Sequence, residues 1–186
     1  MDRDRTYLRT YWQQGRRAVF WGLDPTSGAV RWGALVSPGS TLGGIEWGTA
    51  SDGNRILASI ANSLHDSYAL TKDGPTISWG SWAAINAQTG EIEWQTADPS
   101  SGAIDTGAVS VANGVVYAGS YSGIMYAMDS STGKILWSLD SGGSVVDGPS
   151  IADGVVYWGS GYSHIPPGKG NNKLYAFSLA PKATVV

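Results

Sequence analysis

A tryptophan-terminated pattern that recurs along the chain constrains its fold more than any other feature of the sequence. Each copy has an alternating apolar and polar stretch, then Asp or Asn with small polar residues and Gly, then a second stretch that ends in Trp. Because Gly takes positive φ without steric penalty, each copy predicts two strands joined by a turn, which is a β-hairpin. The copies are residues 21–32, 83–94 and 126–137, with an opening half at 174–178.

A second hairpin signal separates these copies. Asn113-Gly114 and Asp153-Gly154 each precede a Val-Val-Tyr stretch, and Asp52-Gly53 is a weaker version. Asn-Gly and Asp-Gly are the favoured two-residue hairpin turns. Two hairpins in each period of about 40 residues make a four-stranded antiparallel blade, the module of a β-propeller. The sequence therefore predicts an all-β partial propeller of about three blades plus part of a fourth, with less than about a tenth of its residues helical.

The repeats also predict the domain organisation. A leader at 1–17 stays unassigned, and 18–186 form the partial propeller domain, with a loop insertion at 63–77. The repeats are placed at approximately 18–62, 78–122, 123–163 and 172–186. Because so few blades leave strand edges and apolar faces exposed, we expect a fragment, or a chain that pairs with a missing propeller half or a second copy.

Three tryptophans end the repeat copies at one fixed spacing. Trp32, Trp94 and Trp137 each follow the turn glycine by four residues. An equivalent position in every blade predicts equivalent burial. We therefore expect these side chains to be largely buried, packing between neighbouring sheets, and not to be site residues.

Charge and composition exclude several classes of partner. The formal net charge is -3, no basic run extends beyond Arg16-Arg17, and no apolar run could span a bilayer, so we expect neither nucleic acid nor membrane as a partner. The sequence holds no cysteine, which excludes a covalently attached haem in this chain. Its two histidines, His65 and His164, lack neighbouring ligand clusters and are interpreted as loop residues.

The repeat reads Tyr-Ala-x-Asp-x-x-Thr-Gly-Lys-x-x-Trp and is followed by Asn-Gly-Val-Val-Tyr-x-Gly-Ser. It resembles the repeat of the quinoprotein dehydrogenases that depend on pyrroloquinoline quinone (PQQ). Residues 43–48 and 157–163 most resemble polyvinyl alcohol dehydrogenase and its relatives. The resemblance runs from about residue 18 to residue 179 and corresponds to roughly the C-terminal half of such a protein. It implies oxidation of an alcohol, including secondary alcohols, by hydride transfer to a quinone that a calcium ion polarises.

The resemblance also implies site residues. Trp47 matches the tryptophan that forms the floor under the quinone, and Asn62, at the end of the next strand, matches a cation-binding asparagine. Asp105 matches the carboxylate that takes the hydroxyl proton, which calcium would keep ionised. We expect Trp47, Asn62 and Asp105 to converge at one end of the propeller axis.

Two positions depart from the family pattern. The calcium-binding glutamate falls at Gln13, and the basic residue that contacts the quinone falls at Tyr121, which we take as a cofactor-binding position. Glu46, beside Trp47, is the substitute metal ligand that the sequence offers. These departures keep a second hypothesis open: a non-catalytic propeller that serves as a protein-binding or carbohydrate-binding scaffold.

The enzymatic hypothesis carries further expectations. The cofactors are PQQ and Ca2+, the substrate is an alcohol, and the electron acceptor is a cytochrome c or a separate haem domain. Residues 1–14 lack the apolar core of a secretory signal, which leaves the compartment open. The resemblance suggests a periplasmic or extracellular location for the full-length protein.

Overall fold

The computed structural model describes residues 17–41 and 43–179, together with the backbone of a strand at 7–9. This part of the chain contains strands and turns but no helix, and hence no helix that is long and apolar enough to cross a membrane. The strands are β1 (Tyr7–Arg9), β2 (Ala18–Leu23), β3 (Val30–Ser37), β4 (Ala50–Ser51), β5 (Arg55–Ile60), β6 (Tyr68–Ala69), β7 (Thr76–Ile77), β8 (Ser81–Asn86), β9 (Ile92–Ala97), β10 (Ser110–Ala112), β11 (Val115–Gly119), β12 (Ile124–Asp129), β13 (Ile135–Asp140), β14 (Ser150–Ala152), β15 (Val155–Ser160) and β16 (Lys173–Ser178).

Apart from β6 and β7, the strands form four antiparallel sheets in chain order, which confirms the all-β class and the four-stranded blade. The second sheet is β4-β5-β8-β9 and the third is β10-β11-β12-β13, whereas the first, β1-β2-β3, and the fourth, β14-β15-β16, have three strands. The second and third sheets each join an Asx-Gly hairpin to the tryptophan-ending hairpin that follows it. Each of these two sheets therefore begins in the second half of one sequence repeat and ends in the first half of the next.

Two segments outside the regular repeat also form strands. In the leader, β1 pairs with β2 and places Tyr7 opposite Leu23. Within the insertion, β6 and β7 form a separate two-stranded hairpin. Gln95 of the second sheet fastens this hairpin, because its Oε1 accepts the Thr71 N–H at 2.9 Å and its Nε2 donates to the Val36 carbonyl at 2.8 Å.

The sheets stack on one another through apolar faces and meet along their inner strands. Strand β10 contacts both β4 and β14, so the first strands of neighbouring sheets line the common axis. Successive residues of a strand point to opposite faces. Accordingly, Ile56 packs in the cluster between the first and second sheets, and Leu57 packs in the cluster between the second and third. A third cluster, around Met125 and Trp158, joins the third and fourth sheets.

Two of the repeat tryptophans, Trp32 and Trp94, lie over glycines of the next sheet. A Cβ at Gly90 would lie 2.6 Å from Cε3 of Trp32, and a Cβ at Gly133 would overlap the indole of Trp94. Trp94 is buried as predicted.

The prediction of burial is wrong for Trp137, which is 40% exposed and meets Phe177 edge-on at 5.1 Å. The repeat spacing puts the position that corresponds to Gly133 at Lys182, which lies outside the described residues.

The antiparallel order sorts the connections onto two faces. The tight hairpin turns lie on one face. The connections between sheets, and those between the second and third strands of a sheet, lie on the other, which we call the loop face. Its segments are 38–49, 61–80, 98–109, 120–123, 141–149 and 161–172.

Candidate functional site

The five site residues predicted within the described part of the chain all lie on the loop face. Glu46, Trp47 and Asp105 lie in connections between sheets, whereas Asn62 and Tyr121 follow the second strand of a sheet. Backbone hydrogen bonds tie the two kinds of connection together. The Ala61 N–H donates to the Gly44 carbonyl at 3.0 Å, and the Tyr121 N–H donates to the Ile104 carbonyl at 3.1 Å. Gln13, the sixth residue considered, lies outside the described residues.

Trp47 stands three residues before inner strand β4, close to the axis, and is 53% exposed. The corresponding positions before β10 and β14 are Gly107 and Asp147. The Val109 N–H donates to the Gly48 carbonyl at 3.0 Å, which links the segment that carries Trp47 to the next inner strand. An accessible indole on a fixed backbone can stack against a flat aromatic ligand.

Glu46, which precedes Trp47 in the chain, and Tyr121 are half-buried polar residues of the loop face. Ser40 Oγ donates to Glu46 Oε1 at 3.1 Å. Burial raises the pKa of Glu46, and the Ser40 hydroxyl opposes that shift. Burial also raises the pKa of Tyr121; the Thr106 hydroxyl lowers it, while Tyr162 and Glu46 raise it further.

Asn62 presents an oxygen without a hydrogen-bond partner in the interior. The side chain is fully buried and the residue has a φ of 43°. Its Nδ2 donates to the carbonyls of Asp66 at 2.9 Å and Trp79 at 3.4 Å, but its Oδ1 has no partner among the described residues. Since buried polar atoms are rarely left unsatisfied, and amide oxygens are good ligands for calcium, Oδ1 is a suitable cation ligand.

Asp105 is fully buried, and neither carboxylate oxygen has a hydrogen-bond partner among the described residues. Its carboxylate lies against Gly80, where a Cβ would collide with it. Asp98, only 1% exposed, is its acidic neighbour. Asp98 Oδ1 accepts hydrogen bonds from the Ser100 N–H at 2.7 Å and the Tyr126 hydroxyl at 3.1 Å, whereas its Oδ2 has no partner in the described part of the chain.

The surroundings of Asp105 favour its protonated form. Burial raises the pKa of Asp105 well above its ordinary value, the Asp98 carboxylate raises it further, and the Ser120 hydroxyl acts in the opposite direction. Burial raises the pKa of nearby Tyr68 to about 12, with an additional contribution from Asp105. A cation beside Asp105 would shift the balance toward the ionised form, because an opposite charge stabilises a carboxylate.

The structure thus brings some of the predicted residues together. Asn62 and Asp105 contact two consecutive residues of the chain. Asn62 Nδ2 donates to the Trp79 carbonyl, and the Asp105 carboxylate lies against Gly80. No cluster of three or more His, Cys, Asp or Glu side chains occurs within 17–41 and 43–179, so a cation in the described region would rely on amide and hydroxyl oxygens as well.

Comparison with known proteins agrees with this architecture. A family model of PQQ repeats (PQQ_2), described as outer membrane protein assembly factor BamB, matches residues 78–181. The chain belongs to this PQQ-repeat family. Polyvinylalcohol dehydrogenase of Sphingopyxis sp. (strain 113P3) is 35% identical over 175 residues, which cover 80% of this chain and 26% of that protein. The polyvinylalcohol dehydrogenase of Pseudomonas sp. is 31% identical over an alignment of 206 positions, which covers 94% of this chain and 31% of that protein.

Solved structures share the fold. A europium-containing methanol dehydrogenase matches with a TM-score of 0.61 at 16% identity, over 86% of this chain and 36% of that one. BamB from Moraxella catarrhalis matches with a TM-score of 0.56 at 15% identity, over 88% of this chain and 41% of that one. At such identities these two likenesses concern the fold alone. The PQQ-repeat chain spans less than a third of the length of the two polyvinylalcohol dehydrogenases.

Asp98 is a residue of the candidate site that the sequence analysis did not predict. The equivalent residues at the ends of the first and third sheets are Ser37 and Ser141. The side chains of Ser37, Asp98 and Ser141 each accept a hydrogen bond from the backbone N–H of the residue two positions later. Asp105 likewise stands five residues before its inner strand, where the other sheets have Ile45 and Val145. Of the connections between sheets that the structure describes, the one between the second and third sheets is therefore the one that has acidic residues at both positions. Aligning the copies would have shown an acid where the other copies are neutral.

Proposed function

We propose that this chain is part of a PQQ-dependent alcohol dehydrogenase that resembles polyvinyl alcohol dehydrogenase and oxidises secondary alcohols. The observation that carries the proposal is the exposed indole of Trp47, which stands three residues before inner strand β4 and directly follows Glu46. The identities of 35% and 31% to two polyvinylalcohol dehydrogenases support the substrate class.

The residues present fit both cofactors. Bound PQQ would accept hydride, and Ca2+ would polarise it. Trp47 would hold the quinone by stacking, and Tyr121 would border it with a hydroxyl in place of a charge. Asn62 Oδ1, which lacks a partner among the described residues, and the Glu46 carboxylate are the oxygens available to the cation.

In this proposal the proton of the alcohol goes to an ionised carboxylate oxygen of Asp105. The bound cation would favour that ionised form against burial and the neighbouring Asp98, which both raise the pKa of Asp105. Enclosure in the protein excludes water from the pair. Because Asp105 is fully buried, the segment 98–109 must move to admit the alcohol.

The rest of the proposal concerns partners. Electrons would leave to a cytochrome c or a separate haem domain, since this sequence has no cysteine to attach haem. A missing propeller half or a second copy would complete the ring. The full-length protein would be periplasmic or extracellular.

Equilibrium dialysis of the purified chain against PQQ and CaCl2 tests the proposal. We expect quinone binding that Trp47→Ala abolishes and that Trp137→Ala, which removes an indole of comparable exposure, leaves intact. The chain joined to its remaining blades should then reduce a dye with 2-propanol as substrate. If neither the chain nor that joined protein binds PQQ, the dehydrogenase proposal is wrong.

The alternative function is a scaffold that binds protein or carbohydrate. Tyr121 favours it, because a tyrosine stands where the dehydrogenase resemblance implies a basic residue. The matching family model is described as an assembly factor. Absence of PQQ binding together with capture of a defined protein or carbohydrate would support this alternative.

A further inference from the structure

A row of aromatic side chains crosses the loop face and extends beyond the proposed quinone site. The rings of Tyr121 and Tyr162 meet edge-on with centroids 6.2 Å apart, and those of Tyr162 and His164 meet in the same way at 5.7 Å. All three residues are partly or fully exposed, and none belongs to the three apolar clusters between sheets. The row therefore has no evident part in holding the sheets together.

The inner end of the row is tied to the segment that carries Trp47 through the connection 98–109. The Tyr121 N–H donates to the Ile104 carbonyl at 3.1 Å, and the Val109 N–H donates to the Gly48 carbonyl at 3.0 Å. The outer end is His164 in the segment 161–172. A molecule that lay along the row would have one end at the connection that also contacts the Trp47 segment.

The row stands on a fixed backbone. Tyr162 N–H donates to the Ser144 carbonyl at 3.1 Å, and Lys169 exchanges two hydrogen bonds with Ser144, at 2.8 and 2.9 Å. Asn171 Nδ2 donates to the Ser141 carbonyl at 2.7 Å. These bonds hold the segment 161–172 against the connection between the third and fourth sheets. Aromatic groups held in place before binding lose little conformational entropy when a ligand arrives.

The chemistry of the row suits a chain that is alternately apolar and hydroxylated. Tyrosine offers an apolar ring and a hydroxyl that both donates and accepts, and the histidine ring adds a further hydrogen-bonding nitrogen. In polyvinyl alcohol, methylene groups alternate with carbons that bear hydroxyls. The row itself includes no Lys, Arg, Asp or Glu, so it favours a neutral polymer over a charged one.

We propose that Tyr121, Tyr162 and His164 form a binding track for a neutral, hydroxyl-bearing carbon-chain polymer, which it guides toward Trp47. The inference rests on the proposed function for its substrate class, but the track is a separate surface whose binding is measured without quinone.

Calorimetric titration of the 186-residue chain with polyvinyl alcohol oligomers of increasing length tests the track. We expect affinity to rise with length and then level off, and 2-propanol alone to bind far more weakly. Tyr162→Ala should weaken oligomer binding about tenfold, as loss of a central aromatic contact does. His164→Ala should weaken it severalfold, and Tyr162→Phe should lie between the wild type and Tyr162→Ala.

Tyr157→Ala is the matched control, because Tyr157 is an exposed tyrosine of the same sheet that lies on strand β15 and not on the loop face. It should leave affinity within about twofold of the wild type. Unfolding midpoints of all variants verify that the loop stays folded. Unchanged oligomer binding in both Tyr162→Ala and His164→Ala, or no oligomer binding by the wild type, overturns the track.

Dextran, a neutral polysaccharide, identifies the polymer class. Dextran bound more tightly than the oligomers would overturn the carbon-chain assignment. PQQ dialysis separates the two proposals. Oligomer binding without PQQ binding would support the track and contradict the dehydrogenase proposal. PQQ binding without oligomer binding would support the dehydrogenase proposal and contradict the track.

Discussion

The indole of Trp94 lies over Gly133 of the following sheet and donates its Nε1–H to the carbonyl of Ser130 at 2.9 Å. Gly133 has a φ of 71° and no side chain, so the same residue makes the hairpin turn and leaves room for the ring. Trp32 and Gly90 repeat the stacking one sheet earlier, although Trp32 Nε1 has no hydrogen-bond partner among the described residues. Turn and inter-sheet contact are therefore coupled at each of these joints.

Gly133→Ala should destabilise the protein far more than Gly114→Ala. Both glycines have positive φ, at 71° and 77°, but a Cβ at Gly114 meets nothing within 4 Å, whereas one at Gly133 would overlap the Trp94 ring. We expect Gly114→Ala to cost about 1 kcal/mol from backbone strain, and Gly133→Ala about 1–3 kcal/mol more from overpacking. Urea unfolding measures both; equal costs would contradict the coupling.

Trp94→Ala should cost more stability than Trp137→Ala. Trp94 is 7% exposed and hydrogen-bonded, whereas Trp137 is 40% exposed. Removal of a buried tryptophan costs about 3–5 kcal/mol, and we expect about half of that or less for Trp137. Chemical denaturation of the two variants under one set of conditions gives the comparison. A larger loss for Trp137→Ala would show that it is covered in solution.

Gln95→Ala should loosen the insertion hairpin. The side chain bridges Thr71 N–H and the Val36 carbonyl, and two lost hydrogen bonds amount to about 1–3 kcal/mol. Exposed Lys72 follows Thr71 directly, so trypsin reports on the tip of the hairpin. We expect faster cleavage after Lys72 in Gln95→Ala and no change in Gln88→Ala, whose side chain is exposed. Equal cleavage rates would mean that other contacts hold the hairpin.

Asp129→Asn should lower stability at neutral pH but not in acid. Asp129 Oδ1 accepts hydrogen bonds from the backbone of Ser131 at 3.0 Å and Thr132 at 2.9 Å. The hydrogen bond from the Ser131 hydroxyl lowers the pKa of Asp129 most, followed by that from Thr132. Because the folded pKa lies below the unfolded one, the stabilisation is present above the ordinary aspartate pKa and is lost as the pH falls through the folded value.

Unfolding midpoints of wild type and Asp129→Asn at pH 7 and at successively lower pH measure this effect. The gap between them should close as the pH falls below the ordinary value of 3.8. Asn86 fills the same turn position in the second sheet and accepts the same two backbone hydrogen bonds, so asparagine fits the turn. A gap that is independent of pH would mean that the charge has no part.

The sequence does not predict which side chains of the loop face lie next to each other. Asp98 and Asp105 share one connection, but their contact depends on how segment 98–109 folds back against Gly80 and Tyr126. Tyr121 and Tyr162 come from different sheets and meet only because the sheets fan around one axis. No spacing rule within one copy of the repeat predicts either pair.

What the sequence by itself determined is local. Asn113-Gly114 and Asp153-Gly154 specify their hairpins because φ preferences act within a few residues, and the repeated Trp and Gly spacing determined that Trp94 packs between sheets. The tertiary structure alone decided that Trp47 stays exposed while Asp105 is enclosed with Asp98. Burial and electrostatic coupling are sums over neighbours that the chain supplies from distant positions, and only the arrangement of the sheets fixes which neighbours those are.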